Sequence, residues 1–413
     1  MPSGSRVPRA AWYGVGAALI AVVAVLVVAA GLALGWFDPG SVEGDARGFR
    51  ADLAPRGDAD ASAWPEYGLD RRRTRSNTAL PLAPPFRKTW TVDAGSLLEF
   101  PPVLADGALF VGSNAGLALS VDAATGRVRW RRALRGRVAS SPALAGREVL
   151  FTTIAGDLIA LDRTTGEERW RLRLGTAVES SPLVLDGSAY VGTLDGRVLR
   201  VDLRRRRAVW SARASGDVKA SLAAVGDAVV VGDYGGTVTA YARRDGRVRW
   251  RRTSPGPRFG GPGRFYAGPA VAYGRVFVGN INGRVLALDA EDGSIAWVRA
   301  FDEFVYSSAA LADETVYVGS YDQRVHALDA VTGKPRWSFD AGERVSGSPT
   351  VIGGLVYAST LARIPSEGRT FALDARTGRQ VWTFPDGRYA GAVGVRGLLI
   401  VTGVRTLYGF RPA

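Results

Sequence analysis

The sequence predicts an all-β fold: an eight-bladed β-propeller of four-stranded antiparallel blades, preceded by one N-terminal transmembrane helix. Three observations predict it. Eight of the eleven tryptophans recur in register, mostly 40 residues apart: Trp90, Trp130, Trp170, Trp210, Trp250, Trp297, Trp337 and Trp382. Short β-branched runs split by Gly-bearing turns precede them, as in 276–297 (VFVGNINGRVLALDAEDGSIAW) and 316–337 (VYVGSYDQRVHALDAVTGKPRW). A further short run, such as 138–144 (VASSPAL), leads into each unit. That makes four strands per repeat, the layout of a propeller blade.

Composition sets the limits. Apolar residues make up 46% and charged residues 22%, enough for a substantial core. There is no cysteine, which excludes disulfides, thiolate metal sites, a cysteine nucleophile and a lipidated anchor. The one histidine, His326, rules out a metal site built on several imidazoles. It fits a packing slot in the third strand of its blade, and no nucleophile is marked near it. Net charge is +14, and all but Lys88, Lys219 and Lys334 of the 53 basic residues are arginine. Such a surface favours anionic partners.

Along the chain, residues 1–9 read as a short cytoplasmic N-terminus carrying Arg6 and Arg9. Residues 10–37 are uncharged, flanked by Trp12, Tyr13 and Trp36. About 20 apolar residues span a bilayer core, so this run predicts a membrane helix. The basic flank then places the rest of the chain outside the cytoplasm, as a single-pass membrane protein. Residues 28–30 (VAA) and 31–33 (GLA) keep a cleaved signal peptide as the alternative. Either way, nucleic acid is not an expected partner. Residues 38–63 are polar and aperiodic and read as a flexible linker.

Residues 64–85 form a lead-in, and residues 86–413 form the propeller. Seven units are complete through Trp382. The C-terminus supplies three strands of an eighth, and 86–92 (FRKTWTV) supplies the missing outer strand. Pairing the two ends closes the ring and removes two exposed sheet edges. The blade tryptophans are expected to pack between blades, and the propeller is expected to be a monomer.

The recurring VY-VGS-x-DG-x-x-x-ALDA-x-TG-x-x-W pattern and the lead-in 64–70 (WPEYGLD) resemble the PQQ-like repeat family of eight-bladed propellers. One branch, the quinoprotein dehydrogenases, holds pyrroloquinoline quinone and calcium on the axis. Another, BamB-like and non-enzymatic, scaffolds outer-membrane protein assembly. A third use of the fold is an extracytoplasmic sensor domain. The absence of adjacent cysteines and of long insertions departs from the dehydrogenases. The resemblance therefore implies a scaffold that binds envelope proteins or an extended anionic segment, with no cofactor, metal or catalytic residue. A quinone-dependent dehydrogenase and a sensor domain are the alternatives.

Propeller topology puts turns between second and third strands, and links between blades, on one face. Insertions at 252–263 and 361–369 fall there, as do the residues that open each first strand. The candidate binding face is Glu99, Arg137, Glu179, Lys219, Arg264, Tyr266, Tyr306, Arg344 and Arg388. Arginine offers forked bonds to carboxylates, and tyrosine offers rigid amphipathic area. The run 204–207 (RRRR) replaces the D-A-x-T-G turn of its blade on the opposite face, and 71–73 (RRR) lies in the lead-in.

Overall fold

The computed structural model describes residues 22–23, 40–55, 61–256, 263–361 and 368–413. Among these, eight separate sheets succeed one another along the chain. Blade 1 is Val103–Ala105, Ala108–Gly112, Leu117–Asp122 and Val128–Ala133. Blades 2 to 7 repeat that order, ending in strands Glu168–Arg173, Arg207–Arg213, Val248–Thr253, Ile295–Ala300, Pro335–Asp340 and Gln380–Phe384. Blade 8 joins Val393–Val395, Leu398–Thr402 and Thr406–Pro412 to Phe86–Asp93 from the other end of the propeller. Phe86 stands opposite Pro412, and Asp93 opposite Thr406.

The tryptophan period has a physical cause. Each D-x-x-T-G turn is tied by its aspartate: Asp122 accepts the backbone N–H groups of Ala124 and Thr125 and the Thr125 hydroxyl. The turn glycine takes the left-handed conformation, φ +74° at Gly126. The indole of the preceding blade covers it, and a Cβ on Gly126 would stand 2.8 Å from the Trp90 ring. Gly166, Gly246, Gly293, Gly333 and Gly378 meet Trp130, Trp210, Trp250, Trp297 and Trp337 in the same way. Each of these six indoles also donates its N–H to a main-chain carbonyl of the next blade, as Trp297 does to Ala330 at 3.0 Å. Trp382 instead packs edge-on against Phe86 and Phe410.

The serine motif makes a second set of ties between blades, on their inner strands. Ser141 N–H donates to Ser181 Oγ at 3.0 Å, Ser181 N–H to Ser221 Oγ at 3.1 Å, and Ser308 N–H to Ser348 Oγ at 2.9 Å. Each bond crosses from one blade to the next. The tryptophans and serines together tie neighbouring blades on their outer and inner strands.

The lead-in is a plug. It winds around one end of the axis and bonds to blades 1 to 7, and Ala61 just before it bonds to blade 8. Trp64 exchanges two backbone hydrogen bonds with Leu104 of blade 1, and the Pro65 carbonyl accepts Leu144 N–H of blade 2. Arg73 donates to the Pro182 carbonyl at the edge of blade 3. The carbonyls of Arg71, Arg72, Thr74 and Arg75 accept the backbone N–H groups of Ala224, Val271, Leu311 and Val351, in blades 4, 5, 6 and 7 respectively. Ser76–Asn77 adds a parallel strand to blade 7, and the Ala61 carbonyl accepts Arg396 N–H of blade 8.

Residues 40–55, expected to be part of a flexible linker, lie on blades 5 and 6. Val42 bridges Val298, Arg50 N–H donates to the Tyr273 carbonyl at 2.8 Å, and Phe49 stacks on Tyr273 at 5.2 Å. The buried Arg275 holds the segment by donating to the carbonyls of Asp45 and Arg47. Residues 56–60 lie outside the described residues.

The expected membrane location is overturned. Among the described residues no helix is long and apolar enough to cross a membrane. A crossing needs about 20 helical residues, whereas the described helical residues are Val22, Val23 and the short 3-10 turn Ala51–Leu53. The remainder of 10–37 lies outside the described residues, as does the N-terminus 1–9.

Candidate binding site on the propeller axis

The plug closes one end of the axis, and the other end opens into a cavity of about 400 Å³. Its floor comes from the lead-in: Tyr67 and Arg75. The Arg75 guanidinium lies over the Tyr67 ring at 4.0 Å, and the Tyr67 hydroxyl shares hydrogen bonds with Ser308 and Ser348. Beneath the floor, Arg73 is pinned by the Glu66 carboxylate at 3.1 Å and by the carbonyls of Tyr67, Pro182 and Leu222. Burial pushes the Glu66 carboxyl up to about 7, with the attraction of Arg73 opposing it.

The walls are aromatic. Tyr266 and Tyr306 meet edge-to-face at 5.3 Å, and Tyr306 packs on Tyr321 at 4.9 Å. Tyr234 and Tyr389 complete the ring of phenols. Burial raises the Tyr234 and Tyr321 hydroxyls to about 12, and it raises Tyr266 further, so these groups stay protonated as donors at neutral pH. Phe304, 44% exposed, stands at the mouth 5.9 Å from Tyr306.

The sequence-derived candidates divide into four groups. Glu99, Lys219, Tyr266 and Tyr306 line the cavity. Glu179 pairs with Lys219 at 3.4 Å beside it. Arg264 and Arg344 are exposed at the rim, over the rings of Tyr234 and Tyr321 at 6.0 and 5.3 Å. Arg137 is exposed and its carbonyl accepts Ile154 N–H, while Arg388 is buried at 2% exposure and packs against Gly368. Residues 257–262 and 362–367 of the two insertions lie outside the described residues. His326 sits in its strand with Nε2 2.8 Å from Asp322.

Sequence reading missed Tyr67 and Arg75, because the plug lies outside the repeat. It also missed Tyr234, Tyr321 and Tyr389. The first two share one signal, an aromatic at the second position of a turn between second and third strands.

A family model described as outer membrane protein assembly factor BamB matches residues 87–154, 143–263, 260–322 and 305–411. The chain belongs to that family. Among solved structures, BamB from Moraxella catarrhalis superposes with a TM-score of 0.68 at 16% identity, over 79% of this chain and 99% of that one. The quinohemoprotein alcohol dehydrogenase from Comamonas testosteroni gives 0.72 at 16%, over 86% and 81%. A europium-containing methanol dehydrogenase gives 0.73 at 14%, over 85% and 98%. At these identities the likeness is one of fold. No curated protein sequence matches significantly.

The donor set around the BamB-family axis does not fit the calcium of the dehydrogenases. Calcium takes six to eight oxygens, several of them from carboxylates. Glu99 is the single carboxylate among the cavity-lining residues, and Arg75 and Lys219 bring positive charge. No group of three or more acidic or imidazole side chains among the described residues could hold a metal.

Proposed function

We propose that this chain is a protein-binding scaffold that docks an extended acidic segment of a partner across the open mouth of its propeller. The observation that carries this reading is the rim itself. Exposed Phe304, half-buried Tyr306 and Tyr321, and exposed Arg264 and Arg344 form one patch at the open end of the axis. Tyrosine and arginine dominate the few residues that carry most of the energy in protein interfaces. The net charge of +14 adds long-range attraction for an acidic partner. Membership of a family described by an assembly factor supports a scaffold over an enzyme.

The test is capture of an acidic, strand-forming peptide by the wild-type chain and by the Arg264→Glu, Arg344→Glu double variant. Both arginines are exposed, so the variant keeps the fold. Loss of capture with an unchanged circular dichroism spectrum supports the reading. Equal capture by the folded double variant contradicts it.

A further inference from the structure

The floor of the axial cavity carries a guanidinium that no carboxylate pairs with among the described residues. Arg75 is 1% exposed, and its Nε and Nη2 atoms have no hydrogen-bond partner among the described residues. Leaving buried donors of a charged group unsatisfied is costly, so a native site of this kind calls for an acceptor. Its neighbour Arg73 shows what a satisfied guanidinium looks like here, with Glu66 and three carbonyls around it. Arg75 has only the face of Tyr67. A second polar atom in the cavity wall, Ser346 Oγ, is likewise buried without a partner.

We infer that the axial cavity binds a small organic carboxylate, its carboxyl group on Arg75 and its body among the tyrosine rings. A planar guanidinium presents parallel N–H groups that match a carboxylate. The volume of about 400 Å³ lies in the range of small-molecule sites. Phenol rings on several sides favour a flat or apolar body over a bare inorganic ion. The plug seals the far end, so the ligand enters from the mouth. The site shares Tyr306 and Tyr321 with the rim patch, but its charge is Arg75 at the floor and not Arg264 or Arg344, so the Arg75 variants test this inference and the rim double variant tests the docking reading.

The probes are benzoate, its neutral analogue benzamide, and inorganic phosphate, each titrated into the full-length chain by calorimetry and by thermal unfolding. Benzoate should bind at one site per chain and raise the melting temperature, with benzamide and phosphate at least about tenfold weaker. Arg75→Met should lose benzoate binding by a similar factor, and Arg75→Lys should restore part of it. The comparison of benzoate with benzamide needs no variant, so it holds even if Arg75→Met fails to fold. Equal binding of benzoate and benzamide, tighter binding of phosphate, or no benzoate binding at all would overturn the inference.

Discussion

Trp170 donates its indole N–H to the Glu148 carboxylate at 3.0 Å, within its own blade, where six other blade tryptophans donate to a carbonyl of the next blade. The turn it would cover explains the difference. Arg206 holds the glycine position there, at φ +56°, with its N–H on the Asp202 carbonyl as Gly126 N–H is on Asp122. A left-handed non-glycine residue costs about 1–2 kcal/mol, partly offset in the comparison by the greater unfolded freedom of glycine. Arg206→Gly should therefore stabilise the protein by about 0.5–1 kcal/mol in urea unfolding. A lowered midpoint would contradict this account of the third blade.

The tryptophans do not carry equal weight. Trp297 is fully buried, whereas Trp210 is half-buried beside Val209, which is exposed. Trp297→Ala should cost about 3–5 kcal/mol as a truncation of the core. Trp210→Ala should cost distinctly less. Equal losses in chemical denaturation would show that burial does not set the scale.

The aspartates of the turns make the fold acid-sensitive. A hydrogen bond from Arg129, and others from Thr125, hold the Asp122 carboxyl at about 2; Arg169, with the Thr165 and Thr164 backbone, does the same for Asp162. A carboxyl held below its unfolded value near 3.8 contributes stability that is present above that pH and is lost as pH falls towards 2. Urea midpoints should drop over this window, and the Asp122→Asn, Asp162→Asn double variant should show a shallower drop. An unchanged slope would contradict the assignment.

Glu66 gives the opposite sign. Burial raises it from 4.5 to about 7, so its contribution is complete below about 4.5 and is lost as pH rises through 7. Glu66→Gln should hold its stability between pH 6 and about 8 where the wild type declines. Arg73→Met leaves three carbonyls without this donor and the buried Glu66 carboxylate without its cation, and should cost about 3–5 kcal/mol above pH 7. Parallel pH profiles for wild type and Glu66→Gln would count against a buried, strained carboxyl under the plug.

The blades were legible because their packing is periodic. Trp297 must meet Gly333 in the next blade, and Ser308 must meet Ser348, so both recur at the length of one blade. The walls Tyr266 and Tyr306 were legible for the same reason. Arg75 was not, because its place at the cavity floor depends on how the plug winds, and the winding is held by a few bonds to each blade that follow no repeat. Residues 40–55 gave no signal either, since Arg275 grips their carbonyls rather than their side chains. Arg388 aligned with the rim arginines in sequence, yet it packs inward against Gly368.

The propeller is plugged at one end and open at the other. The most direct measurement places a photo-crosslinking residue at Phe304 on the open mouth or at Arg205 on the opposite face, in cells that express the full-length chain. The account predicts one reproducible protein adduct from Phe304, absent from Arg205 and lost when Arg264 and Arg344 are reversed to Glu. Adducts from Arg205 alone, or from both positions equally, would contradict it.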